Sequence, residues 1–199
     1  YVRWTLELYS QGNERKEEWN YFAIPASGYG TQSTNYGKRL FAYDSAGRLN
    51  QTTCAGGTID KTTFNAMGWA VKEEIGTSAG LTTTETKDYF DTGRLEKRTR
   101  LVSGNTAHNR VWDYLYDYRQ RLLEDKTTVE KDGTGEWTLL TRYEYDNRDL
   151  QTAVTNYHTE VAPGKRTGRS TADYDALGRL YRAKRVAIDS NGNEGNALT

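Results

Sequence analysis

Tyr43-Asp44-Ser45-Ala46-Gly47-Arg48-Leu49 and Tyr174-Asp175-Ala176-Leu177-Gly178-Arg179-Leu180 agree at five fixed positions: an aromatic, an acid and then, after two variable residues, Gly-Arg-Leu. Two such phrases in 199 residues point to internal repetition, the mark of an array built from one supersecondary unit. A copy one residue shorter is read at Phe90-Asp91-Thr92-Gly93-Arg94-Leu95, and a weaker one at Phe64-Asn65-Ala66-Met67-Gly68-Trp69. Tyr116-Asp117-Tyr118-Arg119-Gln120-Arg121-Leu122 and Tyr145-Asp146-Asn147-Arg148-Asp149-Leu150 keep the aromatic and the acid but lack the glycine. Aligned on the aromatic, the copies fall at 43, 64, 90, 116, 145 and 174, with gaps of 21, 26, 26, 29 and 29.

The phrase has the chemistry of a tight hairpin. A type I turn favours Asp or Asn at its first position, where the side chain accepts backbone N–H bonds, and a left-handed residue after it completes the bulged three-residue loop. Gly47, Gly93 and Gly178 supply that residue. Where glycine is missing, Asn147 is expected to take the left-handed conformation, and the turn at Gln120 is expected to be irregular. Strands flank the turns: Trp112, Tyr114, Tyr116 and Tyr118 alternate, as do Trp137, Leu139, Thr141, Tyr143 and Tyr145, and Leu95, Lys97, Thr99 and Leu101 continue the period. Between copies lie other turn signals, at Gly56-Gly57, Ser78-Ala79-Gly80, Ser103-Gly104-Asn105, 131–135, Pro163-Gly164-Lys165 and Asn191-Gly192-Asn193. Each repeat is thus two strands and two turns. The expected fold is all-β, an antiparallel meander of about a dozen strands that curls because strand twist accumulates. Residues 1–35 read as an N-terminal β segment or edge cap, 36–189 as about six repeats, and 190–199 as a polar end.

Composition limits the function classes. Lys plus Arg and Asp plus Glu both number 27, giving zero formal net charge and no chain-wide electrostatic case for nucleic acid or anionic membrane. The longest apolar stretches are only a few residues, such as Tyr21 to Ile24, against the roughly 18 expected of a spanning helix. One cysteine, Cys54, forbids an intrachain disulfide, and His108 and His158 are too few for a Cys/His zinc site. A mean hydropathy of −0.90 suits a disordered chain, but 12% aromatic content with 15 tyrosines and balanced charge argues for a folded one.

Repeated at this pitch among Thr- and Tyr-rich strands, Tyr-Asp-x-x-Gly-Arg-Leu resembles the YD repeat of the RHS (rearrangement hot spot) family, which includes teneurins and the C components of insecticidal toxin complexes. The likeness runs from about Tyr36 to Val186 and is strongest at Tyr43 to Leu49, Phe90 to Leu95 and Tyr174 to Leu180. The resemblance implies a β-ribbon that spirals into a hollow shell in secreted or cell-surface, chiefly bacterial, proteins; in toxins such shells enclose an effector. It implies a non-enzymatic structural segment whose partners are adjacent repeats and domains of a longer chain. The Asp-Pro-rich self-cleavage segment of the family is not matched, since Pro25 precedes Ala26 and Pro163 follows Ala162. No catalytic residue, cofactor or metal is carried over.

Candidate sites have simpler readings. A Cys54 nucleophile with His108 or His158 as base lacks any sequence context for such chemistry. Glu73-Glu74 is one carboxylate pair among many and selects no glycosidase site. Asp44, Asp91 and Asp175 are too widely spaced for a calcium array and are expected to cap turns. Arg48, Arg94 and Arg179 either form a basic ladder for an anionic polymer or, as zero net charge favours, pair with Asp of a neighbouring repeat or stack on Tyr. The alternative function is a carbohydrate-binding or adhesion module in which exposed Trp and Tyr, Trp112 and Trp137 foremost, stack on sugar rings; the competing reading places these rings in the core. Terminal strands with open edges also invite self-association, which Arg182, Lys184 and Arg185 would oppose.

Overall fold

The computed structural model describes residues 4–102, 108–131, 135–158, 165–189 and 191–198. The expected turns at 103–105 and 131–135 and at Pro163-Gly164-Lys165 lie wholly or partly outside these residues. The described residues form fifteen strands: β1 (Trp4–Tyr9), β2 (Arg15–Tyr21), β3 (Tyr36–Tyr43), β4 (Leu49–Thr53), β5 (Ile59–Phe64), β6 (Ala70–Thr77), β7 (Gly80–Tyr89), β8 (Leu95–Arg100), β9 (Arg110–Tyr116), β10 (Leu122–Lys131), β11 (Gly135–Tyr145), β12 (Gln151–His158), β13 (Arg166–Tyr174), β14 (Leu180–Ile188) and β15 (Glu194–Leu198). Among the described residues no helix is long and apolar enough to cross a membrane.

Two compact units divide the chain, 1–86 and 87–199, with the boundary inside β7. In the first, β1 to β7 pair antiparallel in chain order. In the second, β8 to β15 do the same. The all-β antiparallel meander expected from the repeats is therefore observed in both. Residues 36–189 hold twelve of the strands, β3 to β14, while 1–35 contribute β1 and β2, with β2 pairing directly with β3. The polar end at 194–198 also forms a strand, laid against β14.

Little of either unit is fully buried, because a meander exposes much of both faces. In the first unit the densest packing is aromatic. Trp19 stacks on Tyr36 with ring centres 4.4 Å apart, Tyr21 lies 4.6 Å from Trp4 and 5.1 Å from Tyr36, and Tyr29 meets Trp19 edge-on at 6.0 Å. Among the described residues there, Tyr21 and Tyr36 are the buried large apolar side chains, and Tyr21 Oη donates to the Tyr29 carbonyl, so its burial leaves the hydroxyl paired. In the second unit Ala153 and Thr155 are buried beneath charged neighbours: Arg142 pairs with Glu124 at 2.7 Å, and Arg169 pairs with Glu144 at 3.1 Å and reaches Thr155 Oγ1. Long cationic stems covering small residues do the work that Leu or Ile performs in a conventional core.

One strand expectation needs correcting. The alternating aromatic run ends at Tyr116; Tyr118 lies beyond β9 in the following turn, and 84% of its surface is exposed.

Candidate functional site

The feature that repeats most faithfully is a single turn geometry. Nine hairpin turns among the described residues share it, beginning at Ser10, Cys54, Asn65, Phe90, Asp189 and at Asp44, Asp117, Asp146 and Asp175. In each, the N–H of the first residue donates to the carbonyl four residues on, and the N–H of the fourth donates back to the carbonyl of the first. The fourth residue always has positive φ: Asn13, Gly47, Gly57, Gly68, Gly93, Gln120, Asp149, Gly178 and Gly192. This is the type I turn with a left-handed bulge that the phrase encodes.

Three readings change in this frame. The turn at Gln120 is regular: Gln120 has φ of 64°, and its backbone bonds match those of the glycine turns. At 146–150 the left-handed residue is Asp149, at φ of 67°, not Asn147, because the first residue is Asp146 and the bulge falls three positions later. The copy at 90 is not shortened either. Phe90 takes the first position in place of the acid, Tyr89 is the preceding aromatic, and Asp91 is a loop residue that does not make the cap.

Where the first residue is Asp or Asn, its side chain completes the turn. Asp44 Oδ1 accepts the N–H of Ala46 at 2.9 Å and of Arg48 at 3.0 Å, and its Oδ2 accepts Arg48 Nε at 2.7 Å. Asp117 does the same for Arg119 and Arg121, and Asp175 for Leu177 and Arg179. The backbone bond from Arg48 is the largest influence holding the Asp44 carboxyl below its ordinary value; Asp175 is lowered in the same way by Arg179. For Asp117 and Asp146, partial desolvation pushes upward and is outweighed by backbone and guanidinium hydrogen bonds.

Within each unit, side chains of several turns also reach a neighbouring turn. The motif tyrosine reaches backward to the carbonyl that follows the preceding turn: Tyr43 Oη donates to the Arg15 carbonyl at 3.0 Å, Tyr145 to Leu122 at 2.9 Å and Tyr174 to Gln151 at 3.0 Å. The arginines reach forward. Arg48 lies 4.7 Å over the Phe64 ring and donates Nη1 to the Asn65 carbonyl. Arg121 lies 4.8 Å over Tyr145 and donates to the Asp146 carbonyl at 3.0 Å and to Asp149 at 2.7 Å. Arg94 covers Tyr116, and Arg148 donates to the Asp175 carbonyl at 2.6 Å. Arg179 pairs with Asp175 of its own turn, and its side chain is 74% exposed.

Arg119, Arg148 and Asp149 were not singled out from sequence. The clue was there in the spacing: Arg119 and Asp149 are 30 residues apart and Arg121 and Asp149 are 28 apart, one repeat pitch in this part of the chain.

The remaining candidates are dispersed. Cys54 heads a turn in the first unit, while His108 and His158 lie in the second. Among the described residues no group of three or more His, Cys, Asp or Glu is placed to hold a metal. Trp112 carries the Arg98 guanidinium 4.9 Å over its ring, so that ring is engaged within the sheet; the side chain of Trp137 lies outside the described residues.

These features define a hairpin-repeat β-meander with turns capped by Asp and stitched by Tyr and Arg, and solved structures share its fold. The crystal structure of TcdB2-TccC3 matches with a TM-score of 0.63 at 18% identity over 88% of this chain. A second TcdB2-TccC3 crystal structure, with TEV in its title, gives 0.61 at 21% over 90%. A structure of the Photorhabdus luminescens Tc holotoxin pore gives 0.62 at 18% over 98%. The chain spans 9–11% of the length of those chains, and the likeness is one of fold. No protein-family model matches the sequence, and comparison with curated proteins finds no match.

Proposed function

We propose that the chain is a non-enzymatic structural segment, a run of stacked YD-type hairpins that curls into part of a β-walled shell and encloses or presents other domains of a secreted bacterial protein. The observation that carries this reading is the two-way stitch. Tyr side chains reach back and Arg side chains reach forward, so that in several turns polar side chains of the repeat phrase join one hairpin to the next. In repeat architectures stability is a sum of intrinsic repeat and nearest-neighbour interface terms, and a wall requires the second. The sequence resemblance to RHS proteins and the fold shared with the TcdB2-TccC3 structures support the same role.

The test is electron microscopy of the longer chain that carries these residues. A hollow particle with this segment in its wall is expected; a solid particle, or this segment as a separate lobe, would overturn the proposal.

A further inference from the structure

We propose that the aromatic face of β9, β10 and β11 around Asp125 is a docking site for an arginine side chain presented by an extended polypeptide partner. Strand register places Asp125 directly opposite Tyr114 of β9 and Thr141 of β11. Trp112 and Tyr116 of β9, Thr127 of β10 and Tyr143 of β11 share that face, two residues along each strand. Asp125 is half-buried, and among the described residues no cation stands within ion-pair distance of it and no hydrogen bond reaches its carboxylate. Burial alone pushes its carboxyl above the ordinary value, and burial followed by the Asp125 charge raises the Tyr143 hydroxyl, which puts the two groups in one neighbourhood.

At three other carboxylates this protein places an arginine against both the acid and an aromatic ring. Arg48 sits between Asp44 at 2.7 Å and the Phe64 ring. Arg121 sits between Asp117 at 2.6 Å and Tyr145, and Arg142 between Glu124 at 2.7 Å and Tyr157 at 5.3 Å. Around Asp125 the carboxylate and the rings are present and the guanidinium is missing. The chain cannot readily supply one. Arg98 is stacked on Trp112 and Arg121 on Tyr145, while Glu124, Lys126 and Arg142 belong to the opposite face by alternation. A half-buried, unbalanced carboxylate is unfavourable, and a guanidinium matches it better than an ammonium does, because its plane stacks on tyrosine while its N–H groups pair with the acid. The occupant is an extended segment because the site is a strand face, with the Thr127 hydroxyl on the same face as the acid for a backbone contact.

The experiment is calorimetric titration of the whole chain with the peptide Thr-Arg-Thr-Thr and with the same peptide carrying citrulline, the neutral isostere, in place of arginine. The arginine peptide is expected to bind at least about tenfold tighter. Asp125→Asn should abolish that preference and Tyr143→Leu should reduce it, whereas Asp113→Asn, on the opposite face of β9, should leave it intact. Far-UV circular dichroism confirms that each variant is folded. Equal affinity for the two peptides, or a preference that survives Asp125→Asn, would overturn the proposal. So would Asp125-dependent binding of a neutral oligosaccharide without arginine binding. None of these outcomes bears on the shell reading.

Discussion

The turns at Asp44–Arg48 and Asp117–Arg121 have the same backbone and different chemistry at the strained position. Both close with hydrogen bonds of 2.9–3.0 Å, and both carry an Asp cap on two backbone N–H groups. Gly47 takes φ of 76° in one and Gln120 takes 64° in the other. A side chain in that region costs about 1–2 kcal/mol, so glycine alone does not define the turn. The Gln120 turn gains a connection that the Gly47 turn does not show: Arg119 and Arg121 both bond to Asp149, the left-handed residue of the next turn, which also lacks glycine. Conformational strain is thus tolerated where cross-repeat bonding is densest.

The largest expected effect removes what the two turns share. Asp117→Ala frees the N–H groups of Arg119 and Arg121 and one carboxylate of the Arg121 network, and should lower the melting temperature more than any substitution at a single left-handed position. Gly47→Ala should destabilise by about 1–2 kcal/mol in urea unfolding, against almost no change for Gln120→Ala, which already carries an unbranched side chain there. Gln120→Gly should stabilise by up to about 1 kcal/mol. Asp149→Gly should gain less or lose stability, because relief of strain is set against loss of the two arginine contacts. A smaller effect is expected from Tyr145→Phe, which keeps the ring under Arg121 and deletes only the bond to Leu122, at about 1 kcal/mol.

Acid should remove the shared feature everywhere at once. The carboxyls of Asp44, Asp117, Asp146, Asp175 and Asp189 are all held below their ordinary value, at Asp189 chiefly by the Asn193 N–H. A group lowered on folding stabilises the folded state fully above its unfolded value, about 3.9 for Asp, and that stability is lost as pH falls through the folded value. Melting temperature should therefore hold down to about pH 4 and fall steeply below it, less steeply in Asp117→Ala. A fall that begins near pH 6 would assign the titration to other groups.

The phrase Tyr-Asp-x-x-Gly-Arg-Leu was enough to read the hairpins, the pairing order and the cap, because each depends on residues within one turn. Phe90 and Asp91 misled because a residue of the acid's type stands one position from where the turn needs it, and adjacent aromatics at Tyr89 and Phe90 allow two alignments. Gln120 was misread because propensity was weighed alone, whereas strand pairing on both sides imposes the left-handed conformation. The stitch was legible only in outline, as arginines pairing with Asp or stacking on Tyr; which residues meet was not, because the contact from Arg121 to Asp146 joins residues 25 apart and depends on the register of β10 against β11. Asp125, too, is placed opposite Tyr114 and Thr141 by register alone.

The central claim is that neighbouring turns are energetically coupled through the stitch, and a double-mutant cycle of Arg121→Ala and Asp149→Ala tests it most directly. The two residues lie in successive turns and meet through one 2.7 Å contact. Coupled turns predict that the double variant loses less stability than the sum of the single losses, at low and physiological salt alike. Losses that simply add would show that the turns stand side by side without holding one another, and would contradict the account.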